Sequence, residues 1–181
     1  FKAMNYPTVG LRDSAKSGYT NISSSSSIVT SLSKLKVRDD TLEVNDGWPF
    51  AVQALAMYYE TEPALIKEGK QTFLTIGEQV KVPLDHFGQF HIDFPSLPTG
   101  TTFLSETAGV SAMEILDLDE DELEDMAYLF DGKIVVVGDT SEVSHDWFDT
   151  PVGMVYGVEI IADSIHTLMK GAPLQPATQD Q

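Results

Sequence analysis

The sequence predicts an α/β protein, a layered sheet with packed helices, and three features of the chain lead to that class. Lys133–Ile134–Val135–Val136–Val137–Gly138 is a continuous β-branched run of the kind found in a central strand covered on both faces. From Val158 to Lys170, the residues Val158, Ile161, Ala162, Ile165, Leu168 and Met169 form an i, i+3, i+4, i+7 stripe. Between Ile28 and Val44, first Leu32, Leu35 and Val37 and then Leu42 and Val44 alternate, with Asp39–Asp40 placed to turn the chain. The expectation is a C-terminal strand–loop–helix unit at the centre of the sheet, with a β-hairpin or ribbon near the N-terminal third.

The other elements follow in order. Ser23–Ser27 reads as a polar loop or an edge strand. Asn45–Asp46–Gly47 breaks the ribbon, and Pro49 suits the first turn of a helix, where its missing N–H does no harm. Phe50 to Tyr59 is apolar on nearly every side, through Val52, Leu55, Met57 and Tyr58, which predicts a buried helix or one packed between two surfaces. Pro63 limits its continuation. Phe73–Ile76 and Val80–Val82 predict short strands around Gly77, and Phe90, Ile92 and Phe94 share one face of a further strand bracketed by Phe87. Pro95, Pro98 and Gly100 mark a loop.

Asp117 to Asp131 places Leu123, Met126, Ala127 and Phe130 at helical spacing, and Asp119 with Glu122 forms a capping pair. This predicts an amphipathic helix with a solvated acidic back; a calcium loop would need a glycine and a ligand spacing that the segment lacks. In the last helix Glu159 lies in the first turn and Lys170 in the last, and Gly171 is placed to cap the end.

Charge and composition narrow the function. The 181 residues carry 28 acidic and 11 basic side chains, a formal net charge of −17. The chain is long enough to bury a core of its own. So negative a field repels phosphate backbones, which excludes nucleic acid as a partner class. With no cysteine, disulfides, thiolate nucleophiles and cysteine-bound zinc are excluded too. No apolar run approaches the ~20 residues that span a bilayer.

In open α/β sheets ligands collect beyond the C-terminal ends of strands. The connection leaving Ile134–Val137 is therefore the candidate ligand-binding site: Gly138, Asp139, Thr140, His145, Asp146, Trp147, Asp149 and Thr150. Gly138 equally suits a tight turn, and Asp139 and Asp149 equally suit turn or cap roles. His86, His91 and Asp93 are the strongest metal-ligand types elsewhere, but no histidine pair has the i, i+4 spacing of a zinc helix, so no metal is expected. There is no G-x-S-x-G elbow, no phosphate-cradling G-x-x-x-x-G-K and no dinucleotide fingerprint. Neither catalytic residues nor a cofactor are expected. The alternatives are an α/β hydrolase-like or metal-dependent enzyme using Asp139, His145 and Asp149, and a structural module that forms a homodimer through the apolar face of its terminal helix.

One resemblance sharpens this reading. GKIVVVGDTSEVSHDWFDTPVGMVYGVEIIADSIHTLMKG resembles the close of the type-two CHASE domain, through Gly138, Asp146, Thr150–Pro151, Gly157–Val158–Glu159, Ala162 and Gly171. Upstream, Gly18–Tyr19–Thr20–Asn21, Trp48–Pro49–Phe50 and Val82–Pro83–Leu84–Asp85 with Gly88 are similar to that family in the same order. Ile161 stands where the family often has a histidine. The resemblance implies one sensor domain over residues 1–181, the larger C-terminal portion of such a domain. It implies a position outside the cytoplasmic membrane, an unknown small-molecule or protein ligand, and a kinase or cyclase output. It also implies that the polar tail 172–181, with Pro173 and Pro176, leads toward transmembrane helices beyond this sequence.

Overall fold

The structure is a computed structural model and describes residues 15–16, 18–20, 31–33, 47–95, 109–171 and 174. Its largest sheet is an antiparallel meander of β2 (Pro63–Glu68), β3 (Gln71–Ile76) and β4 (Val80–Leu84). β3 and β4 match the two short strands expected around Gly77, which adopts φ +55° in the turn between them. β2 went unforeseen, because Pro63 reads as a helix stop. It is the first residue of an edge strand, a place where a missing N–H costs no ladder bond. Beyond Pro63 the side chains of β2 are exposed, so the strand has no apolar alternation to announce it.

A second pair joins β1 (Ser31–Ser33) to β5 (Gln89–His91) in antiparallel register, with Leu32 opposite Phe90. This is what the structure describes of the N-terminal ribbon; the rest of Ile28–Val44, the serine run and the loop through Pro98 and Gly100 lie outside the described residues. Asp85 closes the turn from β4 to β5, its Oδ1 accepting from Phe87 N and Gln89 N at 2.9 Å each. Phe90 and Ile92 are buried and Phe94 is half-buried against the same core, as their shared face predicts.

Helix α1 (Phe50–Tyr58) follows Pro49 directly. It buries Ala51, Val52, Leu55 and Ala56 but exposes Phe50, Met57 and Tyr58, so it is covered on one side rather than all round. A short helix, α2 (Ala112–Leu116), precedes the acidic segment, and within the segment the expected helix is α3 (Glu120–Met126), which tightens into a 3-10 turn over Ala127–Leu129. The expected capping pair is present: Glu122 N donates to Asp119 Oδ1 at 2.9 Å, and Asp119 N to Glu122 Oε2 at 3.0 Å. α3 buries no residue, so its cap is a local device. Asp119→Ala is expected to cost about 1 kcal/mol of helix stability. Amide exchange should then quicken in residues 120–126 while the global unfolding midpoint stays in place.

Helix α4 (Gly157–Lys170) packs on α1, β4 and β7 (Gly153–Tyr156), and Gly171 ends it at φ +67°. Its buried face is rotated from the apolar stripe. Ile160, Ser164, Ile165 and Leu168 are buried together with Glu159, Asp163 and Thr167, whereas Val158, Ile161 and Ala162 are half-buried and Met169 is exposed. Two hydroxyls explain the rotation, because they satisfy themselves inside the helix. Ser164 Oγ donates to Ile160 O at 2.6 Å, and Thr167 Oγ1 to Asp163 O at 2.7 Å.

The mixed α/β class holds, but the β-branched run is no central strand. Residues 134–140 join no ladder. Ile134 and Val136 pack half-buried on the core, while Val135 and Val137 are 52% and 83% exposed. β-branching favours a pleated, half-buried surface and does not supply a ladder partner. The run does lie beside the last helix, as expected: a Cβ at Gly138 would fall 2.5 Å from Val158 Cβ.

Candidate functional site

After Gly138 the chain turns on its own polar groups. Asp139 Oδ1 accepts from Ser141 N at 2.8 Å, and this bond holds the exposed Asp139 carboxyl below the ordinary carboxylate range. Ser144 Oγ donates to Ser141 O at 2.8 Å and accepts from Asp146 N at 3.3 Å. His145 ends this tight turn at φ 51°, in left-handed conformation.

The remaining candidates lie on a hairpin rather than in a loop. β6 (Trp147–Thr150) pairs with β7 in antiparallel register across the two-residue connection Pro151–Val152. Alternation divides the hairpin into two faces. Phe148 and Val155, directly opposed, face the core. Trp147 opposes Tyr156 and Asp149 opposes Met154 on the other face. Trp147 stands between two rings, His145 edge-on at 5.7 Å and Tyr156 tilted at 6.4 Å. Asp149 and Met154 are exposed beside them.

Not every candidate faces outward. Thr150 is buried, and its hydroxyl closes the turn by donating to Gly153 O at 2.6 Å and accepting from Val152 N at 3.3 Å. Asp146 ties the hairpin to the last helix: Gly157 N donates to Asp146 O at 2.8 Å, and the Asp146 carboxylate lies where a Cβ on residue 157 would sit. That contact is the reason for glycine at the start of α4, where the helix N-terminus also favours a negative neighbour.

The structure therefore gathers His145, Trp147 and Asp149 along the outer hairpin face, with Asp146 behind them at the helix. It assigns Thr150 to the turn and leaves Gly138, Asp139 and Thr140 exposed in the lead-in. A shallow depression of about 180 Å³ lies elsewhere, between Lys16, Gln53, Met57, Glu60 and Glu62, with Lys16 Nζ 2.6 Å from Glu62 Oε1 across it.

Sequence reading missed the hairpin and, beneath it, a group of buried acids. Trp-Phe-Asp-Thr and Gly-Met-Val-Tyr around Pro-Val carry a period-two signal, hidden because Thr150–Pro151 reads as loop. Glu159 and Asp163 are 4% and 5% exposed on α4; with the last helix read by its hydrophobicity alone, they fall on the solvent side. Glu159 Oε2 accepts from Tyr156 N at 3.0 Å. Burial, with Glu159 and Asp93 nearby, pushes the Asp163 carboxyl up to about 7.

The histidine candidates are dispersed. His86 is exposed with its ring tilted at 41° to that of Phe87, centroids 3.8 Å apart, and His91 Nε2 lies 3.4 Å from Asp85 Oδ2. Asp93 N donates to Thr167 Oγ1 at 3.0 Å. Among the described residues no group of three histidines or acids is placed to hold a metal ion, and no helix is long and apolar enough to cross a membrane.

The family model described as the CHASE2 domain matches residues 7–180. No curated protein and no solved structure matches. The chain thus belongs to the CHASE2 domain family, the sensory domains of signalling receptors.

Proposed function

We propose that this CHASE2 domain is the ligand-sensing part of a membrane-anchored signal-transduction receptor, held outside the cytoplasmic membrane. It passes its signal to a histidine kinase, adenylate cyclase or diguanylate cyclase output through helices beyond this sequence. The observation that carries the reading is the family match across residues 7–180. Signalling then requires a ligand with different affinities for two conformations of the domain.

We assign ligand contact to the outer hairpin face and its lead-in. Trp147 offers a half-buried ring, His145 and Asp149 flank it, and Asp139, held as an anion by Ser141 N, stands in the exposed turn before it. An aromatic surface set among carboxylates fits a cationic or donor-rich small molecule, by cation–π attraction and charge-assisted hydrogen bonds. Gly138 and Thr140 add exposed backbone, Asp146 fixes the face against α4, and Thr150 shapes it from the turn.

A thermal-shift screen of the purified chain against organic amines, quaternary ammonium compounds and neutral metabolites tests this. The cationic compounds are expected to raise the melting temperature and quench tryptophan fluorescence. The double variant Asp139→Ala, Trp147→Ala is expected to lose both responses, and His145→Ala to weaken them. Responses of full size in the double variant would remove the site from this face.

A further inference from the structure

The buried face of α4 carries Glu159, Asp163 and Thr167 at successive i, i+4 steps, with exposures of 4%, 5% and 0%. Carboxylates on a core-facing surface ordinarily have donors or cations to satisfy them. Glu159 accepts from Tyr156 N, and Thr167 is bonded both ways, to Asp163 O and from Asp93 N. The Asp163 carboxylate accepts no hydrogen bond among the described residues.

Its charged neighbours are acids as well: Glu159 one turn earlier on the helix, and Asp93 in the segment after β5. Among the described residues, the other elements packed on α4 bring no compensating charge. α1 contributes Val52 and Leu55 to the core, and β4 contributes Val82 and Leu84, while Lys81 is exposed and paired with Glu68 at 2.8 Å. β7 contributes Val155 and the phenol of Tyr156. Among the described residues the seam holds Lys170, which reaches Asp93 Oδ2 at 3.4 Å from a largely exposed position, and the imidazole of His91, whose Nε2 lies 3.4 Å from Asp85 Oδ2.

That seam joins the C-terminal half of α4 to residues 91–95. Asp93 N is tied to Thr167, Lys170 to Asp93, and Leu174 bridges back to His91. We infer that Asp163 is a proton-operated latch on this seam: as a neutral acid it lets α4 lie against residues 91–95, and as an anion it drives them apart. The inference goes beyond the ligand reading and does not depend on it.

The sign follows from burial. The Asp163 carboxyl is pushed up to about 7, against 3.8 for an ordinary aspartate. Below the lower value folded and unfolded chains are both protonated, and the group has no effect. Between the two the unfolded chain has released its proton and the folded one keeps it, so stability falls as pH rises; above about 7 the loss is complete. The latch is tightest near the ordinary aspartate value, loosens as pH rises toward neutrality and is fully loosened above about 7.

Hydrogen exchange on the full chain reads the latch at the Asp93 amide. Corrected for intrinsic rates, its protection is expected to drop about tenfold between about pH 6 and about pH 8.5 in the wild type, and to stay level in Asp163→Asn. Equal protection at both pH values in the wild type overturns the proposal, as does a drop of the same size in the variant. Should the variant fail to fold, a carboxyl-carbon NMR titration of wild-type Asp163 decides: a midpoint near 7 supports the latch, and one below about 5 overturns it. Calcium or magnesium that restores Asp93 protection at about pH 8.5 in the wild type alone would make a cation the operator, and would also overturn it.

Discussion

Phe90→Ala is expected to remove about 3–5 kcal/mol of stability, a large share of the ~5–15 kcal/mol that holds a domain of this kind. Phe90 is 2% exposed and is among the largest fully buried side chains. It projects from β5 into the cluster built by α1, β3, β4 and α4, so its loss opens a cavity bounded by several elements that cannot all close at once. The control is three residues away. Phe87 is 71% exposed beside His86, and Phe87→Ala should stay within about 0.5 kcal/mol of wild type. Urea unfolding with an unchanged slope measures both. A Phe90→Ala loss under about 1 kcal/mol would mean that β5 is not seated on this core.

The same pair shows how far the sequence could be read. Phe90, Ile92 and Phe94 betray their shared face by spacing, and burial follows it. Phe87 looks equally apolar, but it sits in a turn whose geometry comes from the Asp85 carboxylate, which hydrophobic spacing does not record. The helix caps were legible for a related reason. Asp119 with Glu122, and Gly171, act through atoms a few residues away, so the local string contains the whole interaction.

Long-range pairing was less legible. Val135 and Val137 promise a strand, yet a strand needs a partner whose identity lies elsewhere in the chain. Pro63 and Thr150–Pro151 promise interruptions and instead border strands, since a missing N–H is harmless at an edge or a hairpin turn. The buried acids of α4 were hidden for an energetic reason. A pattern argument places Glu159 and Asp163 outside by default, and only the packed structure shows the helix turning its Ser164 and Thr167 side inward. The outer hairpin face, by contrast, was half visible. Its residues were singled out from composition, but which of them share a face depends on the β6–β7 register.

Gly18→Ala is expected to cost about 1–3 kcal/mol, although a glycine-to-alanine change would by itself stabilise by about 0.4–1 kcal/mol through the unfolded chain. The steric term wins because of what the methyl would meet. A Cβ on Gly18 falls 2.5 Å from Phe50 Cα and 2.9 Å from Phe50 N, main-chain atoms at the first residue of α1. Neither side can give way freely. Tyr19 N donates to Trp48 O at 3.1 Å, and Phe50 N donates to Tyr19 O at 2.9 Å, so residues 18–20 and the start of α1 are stitched together on both sides of the contact. Tyr19 is buried as well, which anchors the strip from below. Moving this strip tilts α1, and α1 packs against the helix that carries Asp163. The variant should therefore unfold at lower urea and also lose amide protection along α1. A variant as stable as wild type, with α1 protection intact, would show that Gly18 does not press on the helix start.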